Sequence, residues 1–245
     1  MPFLPELSWD EAGEVLKKLR VAILPVGSVE QHGPQNPLGT DYLVAWELAK
    51  KAAEATGELL LPPVPYGVSE HHSHFPGTLW VSEGALEEYV YGVVRSLVKW
   101  GLRRVVIVNG HGGNLQALLR VSRRARREKL ALVVVYQWWT AVASKFREVF
   151  GEEGLGHAAA IETSLIAYLY PEYVKLDKAV DEEVKRMLKV PAAAYWYTKD
   201  FTSSGVFGVA STASREKGKD VFEASVEILV ELIKELKAVD LSRVL

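Results

Sequence analysis

Four short runs of this chain are apolar at every position: Val21-Ala22-Ile23-Leu24, Leu59-Leu60-Leu61, Val105-Val106-Ile107-Val108 and Leu132-Val133-Val134-Val135. A strand with one wet face alternates apolar and polar residues, so an unbroken apolar run reads as a strand covered on both faces. Helix signals separate the runs. Ser8 is an N-cap candidate for a helix over 9–19, and Thr40 for a helix over 41–55. Ser82 caps a helix to Trp100, with Glu83 in its first turn where it favours the dipole. Asn114 opens a helix to about Lys129, and another follows His157 to about Tyr170. An irregular stretch holds Tyr195-Trp196-Tyr197 and Gly205-Val206-Phe207-Gly208, and a last helix covers Asp220 to Lys237. Strand–helix alternation predicts an α/β fold with a mostly parallel central sheet, and such sheets bind ligands beyond the carboxyl ends of their strands. No repeat, linker or low-complexity tract interrupts the 245 residues, so a single domain over 1–245 is expected.

The six histidines fall into four segments: Glu30-Gln31-His32-Gly33-Pro34, followed by Gly39-Thr40-Asp41; His71-His72-Ser73-His74; Asn109-Gly110-His111-Gly112-Gly113-Asn114; and His157, five residues before Glu162. Imidazoles and carboxylates gathered from several loops are what a divalent metal site needs. Glu30 and His32 are two apart and point to the same side of an extended segment. The competing reading makes them surface loop residues and Asp41 a capping acid, but Pro34, Pro37 and Gly39 shape a defined loop between them. The His111 segment joins a buried strand to a helix. Its glycines would suit a phosphate cradle, yet the spacing is not that of a P-loop and no Lys-Ser or Lys-Thr follows. A strand-end metal histidine fits better. His157 and Glu162 lie about 140° apart on an ideal helix, so they serve one site best if His157 precedes the helix. His71, His72 and His74 could ligate metal, but the favoured expectation is that they line a substrate mouth, with His72, Gly112 and Asn114 as substrate-binding candidates. Trp139 is a candidate to stack on a planar substrate, although tryptophans are more often core or subunit interface.

Composition narrows the chemistry. With no cysteine, disulfides, thiolate zinc sites and a cysteine nucleophile are excluded. The net charge of −2 gives no field for nucleic acid or an acidic membrane, and the basic run Arg123, Arg124, Arg126, Arg127 and Lys129 reads as a solvated helix face. No apolar stretch reaches about 18 residues, so no membrane span is expected, and with no signal peptide in view the expected location is cytoplasmic. Three Asn, four Gln and two Met are few, a composition that leans towards a thermophilic source.

Taken together, the segments resemble the creatininase (creatinine amidohydrolase) family. The resemblance rests on Leu24-Pro25-Val26-Gly27-Ser28-Val29-Glu30-Gln31-His32-Gly33-Pro34, Pro37 to Asp41, Phe75-Pro76-Gly77-Thr78, the His111 segment, His157 to Ser164, and Gly205 to Gly208. It implies a three-layer α/β/α sandwich with two divalent metal ions per subunit (zinc, manganese or iron), assembled as a homo-oligomer, often a hexamer. By position it implies that Glu30, Asp41 and His111 hold one metal and that His32, Asp41 and Glu162 hold the second, with Asp41 bridging. His157 matches the histidine that handles a proton near the substrate. Two ions about 3.5–4 Å apart can share a water, lower its pKa and polarise a scissile carbonyl, so a small-molecule amide is the expected substrate.

The chain departs from creatinine-hydrolysing members in several places. Gly113 stands where they carry a glutamate, Glu153 and Gly154 where they carry a tryptophan, Gln35-Asn36 where His-Leu is common, and Val209-Ala210 where Asp-Pro is usual. These departures point away from creatinine itself. Other branches resemble formamide hydrolases of archaeal flavin and deazaflavin synthesis, or peptidases that trim a cofactor-precursor peptide. The competing class is a non-enzymatic module that binds nucleotide through Gly112-Gly113 and the basic run. It leaves the full set Glu30, His32, Asp41, His111 and Glu162 without a purpose.

Overall fold

The structure is a computed structural model and describes residues 1–151, 154–184 and 194–245. Four parallel strands form the central sheet: β1 (Ala22–Val26), β2 (Leu59–Leu60), β3 (Arg104–Asn109) and β4 (Leu132–Gln137), in the order β2-β1-β3-β4. Each apolar run of the sequence supplies one strand. Alternate residues of each strand feed opposite cores, as the two-residue side-chain period requires. Ile23, Val106, Val108 and Tyr136 pack with α2 (Thr40–Thr56), α7 (Ala160–Leu169) and α9 (Arg215–Ala238) on one face. Ala22, Leu24, Val105, Ile107 and Val133 pack with α3 (Glu83–Lys99) and α4 (Leu115–Arg127) on the other. The layers are therefore helix, sheet, helix.

The helix boundaries follow local chemistry. Helix α1 (Trp9–Leu16) starts at a reciprocal Ser8–Glu11 capping box and stops three residues before the sequence estimate. Ser82 accepts from Ala85 N at the start of α3, as its position predicts. Three expectations are corrected. Gly39, not Thr40, is the N-cap of α2, and the Thr40 hydroxyl donates to Pro37 O. Asn114 precedes α4 but makes no side-chain cap, because its amide is committed elsewhere. Helix α9 begins at Arg215 with Ser214 accepting from Lys217 N, five residues ahead of Asp220.

Short elements without a sequence forecast follow the strands: α5 (Trp138–Ala141), α6 (Ala143–Phe150), an antiparallel pair β5 (Asp181–Glu182) and β6 (Gly208–Val209), α8 (Thr198–Phe201), and the terminal α10 (Leu241–Val244). The basic run on α4 is solvated and partly paired: Arg124 meets Glu88 and Glu128 at 2.6 and 3.2 Å. No helix among the described residues is long and apolar enough to cross a membrane.

The strand order reverses between β1 and β3, where Val26 pairs with Asn109. A crevice beyond the carboxyl ends opens at such a reversal. The first turn of α2 enters it, and two glycines make room. A Cβ on Gly27 would lie 2.3 Å from Tyr42 Cα, and one on Gly110 would lie 2.2 Å from Asp41 O. Both contacts are with backbone and cannot relax cheaply. Gly110→Ala is therefore expected to destabilise the protein by about 1–3 kcal/mol, the usual cost of overpacking. A lowered urea midpoint at unchanged slope would be the sign. An unchanged midpoint would mean that α2 is free to move aside.

Candidate metal centre

The loop after β1 is held at both ends before it reaches its acid. Glu30 N donates to Leu38 O at 2.8 Å, Gln31 N to Thr78 Oγ1 at 3.2 Å, and Leu79 N to Val29 O at 2.9 Å. The Phe75-Pro76-Gly77-Thr78 motif thus buttresses the Glu30 loop. After β3, the Asn109 side chain clasps the next turn: its Nδ2 donates to His111 O and its Oδ1 accepts from His111 N, at 2.8 and 3.2 Å. Asp41 comes from the first turn of α2 and Glu162 from the first turn of α7. His157 lies three residues ahead of α7, which lets it share a site with Glu162 despite their offset.

These side chains converge. Asp41 Oδ1 is 3.0 Å from His32 Nε2, and Asp41 Oδ2 is 3.0 Å from His111 Nδ1. Glu30 Oε1 is 3.1 Å from His111 Nδ1, and Glu162 Oε2 is 3.7 Å from His32 Nε2. Ligand atoms of Glu30, Asp41 and His111 lie within 4.8 Å of one another, as do those of His32, Asp41 and Glu162, and of Glu30, His32 and His157. Both Glu30 oxygens, Asp41 Oδ2 and His32 Nε2 are buried without a hydrogen-bond partner. Buried polar atoms are otherwise nearly always paired, so this concentration marks a place for an ion.

The rings are also turned to serve one. A backbone carbonyl can only accept, so His111 Nε2, 3.0 Å from Val68 O, carries a proton, and Nδ1 is the nitrogen turned to Glu30 and Asp41. His32 Nδ1 lies 3.2 Å from Glu30 O, which directs Nε2 to Asp41 and Glu162. The donor set of imidazole nitrogens and carboxylate oxygens fits zinc, manganese or iron.

Electrostatics follow from this crowding. Burial alone would lower His32, but Asp41, then Glu162 and Glu30, outweigh it and raise the ring to about 10. Burial also opposes protonation of His111, and Glu30 and Asp41 still raise it well above its ordinary value. Burial raises Glu30, and it raises Glu162 to about 7. Burial works against ionised Asp41, yet His32 and His111 hold it well below the usual range. Burial, reinforced by neighbouring histidines, lowers His157 and His72, so both stay neutral.

A cavity of about 480 Å³ opens onto the acids. His72, Gly112, Trp139, His157 and Glu162 line it, together with an apolar wall that includes Phe146, Leu155, Ile161 and Phe207. Trp138, beside Trp139, is core. Asn114 is not at the cavity. It is fully buried, its amide donating to Gly27 O and accepting from Val68 N, so it ties loops together instead of meeting a substrate. His74 packs on Tyr197 and does not line the cavity either. Glu153 lies outside the described residues. A larger groove of about 1100 Å³ between α1 and α3 carries no histidine, so the smaller cavity is the one with chemistry.

Several contributors carry no sequence signal of their own. Gln35 Nε2 donates to Ala158 O at 2.7 Å, and Ala158 N donates to Glu162 Oε2 at 2.6 Å. Ala158 is held between them at φ 56°, a conformation uncommon for a residue with a Cβ. Gln31 sits between His72 and His157. Its only signal was its position between two candidate ligands.

Divalent metal held by His, Asp and Glu at the carboxyl edge of a parallel sheet is an arrangement typical of hydrolases. The sequence profile of creatinine amidohydrolase (creatininase) matches residues 5–233, and the chain belongs to that family. It is accordingly an enzyme that hydrolyses carbon–nitrogen bonds. It is 31% identical to creatinine amidohydrolase of Pseudomonas putida over 95% of this chain and 96% of that one. It is 30% identical to a mycofactocin precursor peptide peptidase of Mycobacterium ulcerans over 95% and 92%. A solved structure named "Creatininase Mn" superposes with a TM-score of 0.82 at 30% identity, covering 95% of this chain and 97% of that one.

The protonation states set a pH dependence. Glu162, raised from 4.5 to about 7, and His32, raised from 6.5 to about 10, give the metal-free protein stability that is lost as pH rises through those values. Asp41, held low, contributes evenly at neutral pH. Metal competes with the same protons, so its affinity rises with pH. The gain in Tm on adding zinc should therefore widen from pH 6 to pH 8. A gain that narrows would mean that these groups are not the ligands.

Proposed function

We propose that this enzyme is a binuclear metal-dependent amidohydrolase, one domain over 1–245, acting on a non-peptide carbon–nitrogen bond such as a cyclic amide or formamide. The observation that carries the reading is the carboxylate of Asp41, which turns one oxygen to His32 and the other to His111. A carboxylate so divided would let Asp41 contribute one oxygen to each of two ions. Glu30 and His111 would complete one site, His32 and Glu162 the other. When bound, two such ions supply an activated water and polarise the scissile carbonyl.

The chain's own groups do the rest. His157 is neutral, with Nδ1 4.0 Å from Glu30 Oε1, and is placed to take a proton and pass it to the departing nitrogen. Trp139, Gly112 and His72, which line the cavity, would border the substrate. Creatinine is disfavoured at Gly113: a Cβ there would lie 2.2 Å from Val68 O and 2.5 Å from His111 Nε2, so the loop in this seat carries no glutamate. The apolar wall supports a second reading, cleavage of a short peptide with an apolar residue. Assembly as a cytoplasmic homo-oligomer, a hexamer by family resemblance, belongs to the proposal. Trp9, 89% exposed, stands with Tyr89 and Trp100 on the α1–α3 groove and is apolar surface of the kind a second subunit covers.

Metal analysis of wild type beside Asp41→Asn tests the core of this reading. About two ions per chain are expected in wild type, sharply fewer in the variant, with activity on an amide, formamide, lactam and short-peptide panel lost alongside. Fully reconstituted wild type that turns over none of the panel would sink the amidohydrolase assignment, and peptide cleavage alone would decide for the second reading. Light scattering is expected to give a mass several times that of the chain. A monomer would remove the oligomer from the proposal.

A further inference from the structure

Two imidazoles stack beside the centre: the rings of His72 and His157 are 4.4 Å apart at 27°. Both touch the side chain of Gln31, which is 4% exposed. Gly33 N donates to Gln31 Oε1 at 3.0 Å, which fixes the amide with its NH2 towards the rings. Three atoms surround that NH2: His157 Nε2 at 2.8 Å, His72 Nδ1 at 2.9 Å and Gly205 O at 3.1 Å. The amide has only two hydrogens, so one of the three cannot accept.

The backbone resolves the choice. His157 Nε2 also lies 2.9 Å from the carbonyl oxygen of Gln31, which can only accept. His157 therefore carries its proton on Nε2 and gives it to that carbonyl, leaving Nδ1 bare on the side of Glu30. The two amide hydrogens go to His72 Nδ1 and Gly205 O. With Nδ1 accepting, also within 2.8 Å of the Thr198 hydroxyl, His72 carries its proton on Nε2, which lies 3.2 Å from Glu30 Oε1. The reverse assignment would put the proton of His157 on Nδ1, with Glu30 Oε1 4.0 Å away and out of hydrogen-bond reach.

We propose that Gln31 is a positioning residue that sets two adjacent histidines in complementary roles: its backbone carbonyl makes His157 present a bare nitrogen to the centre, and its side-chain amide makes His72 present an N–H. One residue thus places a proton acceptor and a proton donor side by side over the metal ligands. The catalytic use of that pair rests on the amidohydrolase reading; the tautomers themselves do not.

The test is 15N NMR of the ring nitrogens in zinc-loaded protein carrying labelled histidine, with His72→Gln and His157→Gln serving only to assign signals. Wild type is expected to show both rings as the Nε2–H form. In Gln31→Met, which has no polar atom to offer, and in Gln31→Glu, which keeps the contact to Gly33, His72 is expected to leave the single Nε2–H form. His157 should keep it, because the carbonyl of residue 31 survives in every variant. Zinc content, expected unchanged, reports that the site is intact. A wild-type His72 in the Nδ1–H form overturns the proposal even if neither variant folds. So does a His72 that stays wholly Nε2–H in both variants, or a His157 that changes with it. On a substrate found by the panel, Gln31→Met should lower kcat by about tenfold to a hundredfold with KM nearly constant. Absence of turnover on every substrate would count against the hydrolase reading and leave the NMR result standing.

Discussion

The position of Asp41 is the constraint on which the centre depends. Its carboxylate meets two histidines that are 79 positions apart in the chain, His32 after β1 and His111 after β3. They become neighbours because β1 and β3 pair in parallel at the point where strand order reverses. Asp41 reaches between them because α2 begins against the strand ends, with no side chain at Gly27 or Gly110 to hold it off. The first turn of a helix also favours a negative charge, so the seat suits a carboxylate that must stay ionised while buried. Sheet order, two missing Cβ atoms and a helix dipole thus act on one residue.

Such a cluster conflicts with the logic of a protein interior. Burying carboxylates costs several kcal/mol each unless they are paired, and Glu30 and Asp41 are almost wholly enclosed. Imidazoles bring the compensating charge when protonated; divalent ions would bring more and would release those protons. The frame has to resist the repulsion in either state. It does so through two apolar cores on opposite faces of the sheet and through polar clasps that hold the loops rather than the ligands: Asn109 on the His111 turn, Asn114 across Gly27 and Val68, and Gln35 on Ala158.

The sequence discloses this arrangement unevenly, for physical reasons. A strand buried on both faces has to be apolar throughout, so all four sheet strands were visible. Histidines and acids are rare enough in tight loops that their clustering was visible too. The start of α9 was not, because Arg215-Glu216-Lys217-Gly218-Lys219 is a polar first turn with no apolar period to announce it. Asn114 looked like a cap because capping residues and loop-tying residues are the same amides. The carbonyl of Val68 that orients His111 is invisible in principle, since every residue has one. Gln31 was in plain view inside the motif, but its role lies in a count of hydrogens and acceptors that exists only once His72, His157 and Gly205 have been brought around it.

Ligands and substrate wall also have separate origins in the fold. The candidate ligands stand on the turns after β1 and β3 and on the first turns of α2 and α7, all pinned by the sheet or by a regular helix. Much of the wall comes from the irregular edge: Trp139 on α5, Phe146 on α6, Leu155 before His157, and Phe207 beside β6. Such segments can change without disturbing the centre, and relatives of about equal identity carry the names of a creatinine hydrolase and a peptide peptidase. Gly113 is the exception, because it belongs to the ligand turn itself. Its missing side chain lets His111 Nε2 reach Val68 O, so the same position orients a candidate ligand histidine and leaves the cavity open beside it. A glutamate at that position would need a different seat for the whole turn, and through His111 a different grip on Asp41. The choice of substrate and the geometry of the centre are therefore coupled at this glycine, while along the rest of the wall they are free to vary apart.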